Sequence, residues 1–315
     1  MKDLRYIDSH FIEINTDFEE LVHVIKQGFL DPSILVPKRH HHDFPNDHAQ
    51  TDSTLLLMPA WNSGNNAGVK IVTVSPENAQ FDLPSIQGIY AFFSSKDGVL
   101  KSIIDAKSLT TKRKAATSAL ASSYLAKKNA SSLLMIGTGA LSKDLIKAHR
   151  SVRPIQDVFV WGRDFSKAER IASELKEDGI AVVAISSIEE YISSVDIVSC
   201  ATLSKHPLVL GSQIREGQHI DLVGAYKPDM READDELVAK ASVFVDTFQG
   251  IHESGDIAIP LKNDTLKTTD IKGDLFSLTA LESKGRTNQN EITMFKSVGH
   301  AIEDLVAAQY YDNLF

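Results

Sequence analysis

The rhythm of the chain after Ser132 constrains the fold more than any other feature. Strand-like apolar runs fall at 133–137, 157–161, 181–184, 196–200, 218–223 and 242–246. Helical patterns lie between them at 139–150, 165–177, 186–193 and 234–241. Such alternation predicts an α/β fold: a doubly wound parallel sheet covered by helices on both faces, of the Rossmann type. The first strand runs directly into Gly137-Thr138-Gly139-Ala140-Leu141-Ser142, where a helical pattern begins. In this turn Gly137 permits the tight bend, Gly139 keeps a side chain away from an approaching pyrophosphate, and Ser142 is small where the helix packs on the strand. A helix N-terminus adds unpaired N–H groups and partial positive charge. The glycine spacing is a weak signal taken alone. Its strand–turn–helix setting makes it a candidate dinucleotide site.

The end of the second strand bears on which dinucleotide. NAD sites place an acid there, about 20 residues past the glycine turn, to hold the ribose 2′-hydroxyl. Here the strand DVFVW is followed by Gly162-Arg163, with Arg163 standing 24 residues after Gly139. A glycine leaves room for a 2′-phosphate and a guanidinium can grip it with two hydrogen bonds. NADP(H) is therefore the preferred expectation, with NAD(H) possible. On the other view Arg163 is a solvated turn residue, and Asp164 is the ribose ligand or simply a helix cap.

The flanks read differently. Residues 17–29 have helical apolar spacing behind a capping Asp17. Residues 36–52 form a polar stretch with four histidines, expected as a loop. Strands are expected at Thr54–Pro59, Ala67–Val74, Gly88–Ser94 and Gly98–Ile104, with a turn at Lys96-Asp97-Gly98. The Ala- and Leu-rich segment 110–128 reads as a long connecting helix. Residues 260–285 are irregular, and 293–311 reads as a final helix. The expected division is 1–124 plus 294–315 as one domain, and 125–293 as the nucleotide domain. A net charge of -9 argues against nucleic acid as a general partner. No apolar stretch approaches the roughly 20 residues of a membrane span. A single cysteine, Cys200, and a mixed acidic N-terminus without signal-peptide character suit a reducing cytoplasm. The three adjacent histidines, 40 to 42, lack metal-ligand spacing, so no metal site is expected.

Several segments in order resemble the ornithine cyclodeaminase/mu-crystallin family along nearly the whole chain. They are VPKRHHH (36–42), TLLLMPAW (54–61), VKIVTVSPEN (69–78), LTTKRKAATSALASSYLA (109–126), the glycine turn, VGAYKPDMREADDELV (223–238) and MFKSVGHAIEDLVAA (294–308). The resemblance implies a nucleotide domain inserted in a smaller α+β domain that binds substrate and forms a homodimer. It implies a small amino or imino acid as substrate, its carboxylate held by Arg39, Lys70 and Arg113. Cations are what a carboxylate leaving water requires, and Lys70 sits in an otherwise apolar strand. The expected cofactor contacts are Gly137, Thr138, Gly139, Ala140, Leu141, Gly162, Arg163, Ala201, Thr202 and Ser297.

Departures from the family narrow the chemistry. The cyclodeaminases place an aspartate in the segment matching Gly224 to Pro228, and here the matching residue is Tyr226. Lys114 replaces a usual threonine, and Ile86 replaces a histidine of some relatives. The run Arg39-His40-His41-His42 with TLLLMPAW is most similar to members that reduce cyclic imino acids such as Δ1-pyrroline-2-carboxylate. The expectation is thus NADPH-dependent ketimine reduction, with Lys70 or Tyr226 as candidate proton or hydrogen-bond donors. The alternatives are an alanine-dehydrogenase-like enzyme, an ornithine cyclodeaminase, and a non-catalytic NADPH or small-ligand binding protein.

Overall fold

The structure, a computed structural model, describes residues 4–315. In chain order its strands and helices are β1 (Arg5–Ile7), α1 (Ser9–Ile14), α2 (Phe18–Leu30), β2 (Ile34–Leu35), β3 (His40–Phe44), β4 (Ser53–Asn62), β5 (Asn66–Val74), β6 (Ile86–Ser94), β7 (Leu100–Asp105) and α3 (Ala106–Leu125). There follow β8 (Ser132–Ile136), α4 (Ser142–Val152), β9 (Asp157–Trp161), α5 (Phe165–Glu177), β10 (Val183–Ile185), β11 (Ile197–Cys200) and β12 (His219–Leu222). The chain closes with α6 (Asp235–Lys240), β13 (Ser242–Val245), α7 (Gly255–Lys262), β14 (Gly273–Asp274), α8 (Leu275–Thr279), β15 (Thr293–Lys296) and α9 (Ala301–Leu314).

Two compact units result. One ends at Arg113 and resumes at His300, and the other is Lys114–Gly299. The divisions lie at 113/114 and 299/300 rather than at 124/125 and 293/294. The first falls inside α3, because the helix runs on unbroken while its neighbours change.

The first unit is built on a seven-stranded sheet in the order β1-β7-β6-β5-β4-β2, with β3 also paired to β4. Alternation along β4 and β5 sends Met58, Ala60, Lys70 and Val72 to one face, which is buried with Tyr90, Phe92 and Ile104. Helix α9 covers that face, and α2 packs on α9. Asp17 caps α2 by accepting the Glu20 N–H, and Leu21, Val22, Ile25 and Phe29 form its buried stripe. The α9 helix is buried nearly all round, so its acids Glu303 and Asp304 are buried too. His40–Phe44, expected as loop, is an antiparallel edge strand with His41 opposite Leu56. Its exposed polar side chains concealed it, since an edge strand needs no apolar face.

The second unit holds an all-parallel sheet of eight strands, β10-β9-β8-β11-β12-β15-β13-β14. Strand order reverses between β8 and β11, which is where such sheets open a crevice at their C-terminal edge. Helix α5 matches its expected span, whereas α4 starts at Ser142, three residues later than its pattern suggested. Two expectations fail. Residues 186–193 form turns, pinned by Tyr191 and Ile192 N–H bonds to the Ile188 carbonyl. Residues 293–296 are strand β15 between β12 and β13, and the final helix begins only at Ala301.

Candidate active site

The glycine turn lies at the C-terminal end of β8, at the reversal point of the sheet. Gly137 has φ +117°, and a β-carbon there would lie 2.7 Å from the Ala201 carbonyl oxygen, so no other residue fits. Gly139 and Ala140 are exposed, and a β-carbon on Gly139 would meet only open space. Ser142 is fully buried and its hydroxyl donates to the Gly137 carbonyl at 2.8 Å, closing the turn onto α4. These residues fit a pyrophosphate: an open backbone cradle at the start of an eleven-residue helix.

Gly162 is buried against Thr138, whose γ-methyl would stand 2.5 Å from a β-carbon there. The end of β9 is thereby held against the turn. Arg163 is exposed beside it. Asp164 caps α5, accepting the Ser166 N–H and hydroxyl at 3.1 and 2.6 Å. The Ser166 hydroxyl, with the Ser166 N–H, holds the exposed Asp164 carboxyl below its usual range.

The other expected cofactor residues sit on the far side of the reversal point. Ala201 and Thr202 follow β11, with the Thr202 N–H and hydroxyl donating to Glu232 at 2.7 and 3.1 Å. Ser297 is fully buried after β15, and its hydroxyl donates to Asp246 at 3.1 Å. The same Asp246 oxygen accepts the N–H groups of Val298 and Gly299. Tyr226 is half-buried with the Lys227 ammonium 5.8 Å from its ring centre, and burial raises its phenol. Lys114 donates to the Val223 carbonyl at 3.3 Å. Asp229 is paired with Lys205 at 2.8 Å.

The first unit brings the three expected substrate cations together. Lys70, 4% exposed, lies 2.8 Å from an Asp304 oxygen. Arg113, 2% exposed, pairs with Glu303 and places Nε 2.8 Å from Asp304. Arg39, half-buried just before β3, is near enough for its charge to act on both Lys70 and Asp304. Burial, with the positive charge of Arg113, pushes the Lys70 ammonium down to about 8, against the opposing pull of Asp304. Burial alone would raise Asp304, but Arg113 and Lys70 hold it below the ordinary carboxylate range. Tyr90 stands opposite Lys70 on β6, its phenol raised by burial and then by Asp304. Ile86 lies apart from this group, exposed at the start of β6.

Glu303 and Asp304 were not foreseen, although two adjacent acids in the apolar run AIEDLVAA carry the signal. A solvated acid has no reason to sit where every neighbour is buried. Among the described residues no three His, Cys, Asp or Glu side chains gather as a metal set, and no helix is long and apolar enough to cross a membrane.

A doubly wound sheet with a glycine turn at its reversal point, joined to a smaller unit with a buried cation cluster, defines a two-unit Rossmann-type nucleotide-binding protein. The chain belongs to the ornithine cyclodeaminase/mu-crystallin family, whose model matches residues 9–315. It is 36% identical over 309 residues to a Delta(1)-pyrroline-2-carboxylate reductase of Colwellia psychrerythraea, covering 97% of each chain. It is similar to the structure of Thermococcus litoralis Delta(1)-pyrroline-2-carboxylate reductase in complex with NADH and L-proline, with TM-score 0.90, 31% identity, and 98% and 96% of the two chains covered. An archaeal alanine dehydrogenase dimer with bound NAD is also similar, with TM-score 0.88, 27% identity, and 98% and 94% covered.

Proposed function

We propose that the protein is an NADPH-dependent ketimine reductase that converts Δ1-pyrroline-2-carboxylate, or its six-membered homologue Δ1-piperideine-2-carboxylate, to L-proline or L-pipecolate. The observation that carries this reading is the group of half-buried Arg39 with buried Lys70 and Arg113, three cations set against the buried acids Glu303 and Asp304. A buried cluster with more cations than carboxylates attracts a carboxylate substrate. Relatives named as pyrroline-2-carboxylate reductases support the same substrate class.

When bound, the nicotinamide supplies the hydride that the imine carbon receives. Arg113 and Arg39 grip the substrate carboxylate, and this positioning is the main catalytic contribution. Lys70, with its ammonium near 8, holds a proton close to neutrality for the carboxylate or the imine nitrogen. Tyr226 is a second hydrogen-bond donor. Residues 224–228 contain no acid, so the water-activating carboxylate of cyclodeamination is missing. NADPH is favoured over NADH because β9 is followed by Gly162-Arg163, and the nearby Asp164 carboxylate is engaged in capping α5.

We read the outer face of the seven-stranded sheet as a homodimer contact. Leu57, Ile71 and Ile89 form one cross-strand row on it, with Ile89 38% exposed and Trp61 exposed nearby. The single, buried Cys200 suits a reducing cytoplasm.

The test is NADPH and NADH oxidation with pyrroline-2-carboxylate, piperideine-2-carboxylate, and pyruvate plus ammonium. Reduction of a cyclic imine, faster with NADPH, is expected. Oxidation only with pyruvate plus ammonium would replace this reading with an alanine dehydrogenase. Tight NADPH binding without turnover of any substrate would leave a binding protein.

A further inference from the structure

Glu232 lies between β12 and α6 and is fully buried. One carboxylate oxygen accepts the Thr202 N–H at 2.7 Å and the Thr202 hydroxyl at 3.1 Å. The other accepts the N–H groups of Gly224 and Ala225 at 2.9 and 3.1 Å, with the Lys296 ammonium 3.5 Å away. Lys296 is shared with Asp256 at 2.9 Å, and Asp256 in turn accepts the Glu232 and Ala233 N–H groups. One side chain therefore gathers donors from the loop after β11, the loop after β12, and β15.

The two loops are in contact. A β-carbon at Gly224 would lie 2.1 Å from both the nitrogen and the oxygen of Thr202. On the opposite side Ala201 presses its carbonyl oxygen against Gly137 of the glycine turn. Residues 201–202 are thus sandwiched between the turn and the 224–225 loop, and the Thr202 hydroxyl proton points away into Glu232.

We infer that Glu232 is a positioning residue for dinucleotide binding. It fixes the backbone of residues 201–202 and 224–225 against the glycine turn, so that this wall of the crevice meets the cofactor through backbone groups. The inference rests on the proposed cofactor reading. An ionised carboxylate suits the place, because both of its oxygens are met by donors, the Thr202, Gly224 and Ala225 N–H groups, the Thr202 hydroxyl and the Lys296 ammonium, which oppose burial and the Asp256 charge. A glutamine of the same shape would turn N–H groups toward N–H groups on one loop.

The experiment compares wild type, Glu232→Gln and Glu232→Asp, the last retaining the charge on a side chain too short to span both loops. Dissociation constants for NADPH and NADH are measured by nucleotide fluorescence, and amide hydrogen exchange is followed over 197–226. For Glu232→Gln, or for Glu232→Asp should the first fail to fold, the expected result is dinucleotide binding weakened about tenfold or more. Exchange should quicken in the peptides holding 202, 224 and 225. The imine KM, set by Arg39, Lys70 and Arg113, should stay within about twofold, and a loss of stability alone would not produce that split. A folded variant that binds NADPH within twofold of wild type overturns the inference while leaving the cofactor reading intact. If neither dinucleotide binds the wild type, the cofactor reading itself falls, and the inference with it.

Discussion

The pairing of Lys70 with Asp304 makes a quantitative prediction about pH. Burial lowers the Lys70 ammonium from 10.5 to about 8 in the folded protein. The unfolded chain therefore holds more protons between those values, and the contribution of Lys70 to stability rises with pH across that window. The full shift corresponds to about 3 kcal/mol, most of it, about 2 kcal/mol, recovered between pH 7.5 and 10. Lys70→Met keeps most of the stem and removes the titrating amine. Denaturant unfolding of both proteins, at steps through this range, isolates the Lys70 contribution as the difference between them. That difference should change by about 2 kcal/mol in favour of the wild type as pH rises. In parallel, kcat/KM for the imine should fall above about pH 8 as Lys70 loses its charge, a limb absent from Lys70→Met. A stability difference constant across the window would refute the argument, because burial of an ammonium cannot leave its proton affinity unchanged.

Three further outcomes are expected. Gly137→Ala combines a left-handed backbone with a 2.7 Å contact to Ala201, and should cost about 2–4 kcal/mol in thermal unfolding while raising the NADPH dissociation constant. Arg163→Ala should raise KM for NADPH about tenfold or more and leave KM for NADH unchanged, read from initial rates with each cofactor. Asp304→Asn leaves Lys70 and Arg113 without their shared carboxylate. It should lose about 3–5 kcal/mol in denaturant unfolding and most imine turnover.

Local signals were legible where a segment carries its own reasons. The Asp17 cap, the glycine turn, the period of α5 and the alternation in β4 to β7 needed no distant partner to be read. What escaped depends on neighbours far along the chain. Thr293–Lys296 looked helical because it adjoins a genuine helix, and only pairing with β12 and β13 makes it a strand. The irregular turns at 186–193 mimicked helical spacing over too few residues to distinguish. Lys70, Arg39 and Arg113 were recognisable as candidates through family resemblance and, for Lys70, through its apolar strand. Their counter-charges were not, because Glu303 lies 190 residues from Arg113 and Asp304 lies 234 residues from Lys70. Glu232 was hidden in the same way within a polar segment.

The late position of β15 has a consequence for how the protein is made. This strand is inserted between β12 and β13, which the ribosome produces some fifty to seventy residues earlier. Until it emerges, both strands present bare edges to any chain nearby, and the first unit waits equally for α9 to cover its sheet. Neither core can close before residues 293–314 are synthesised. Closing of either core therefore waits on contacts of long sequence separation rather than proceeding segment by segment.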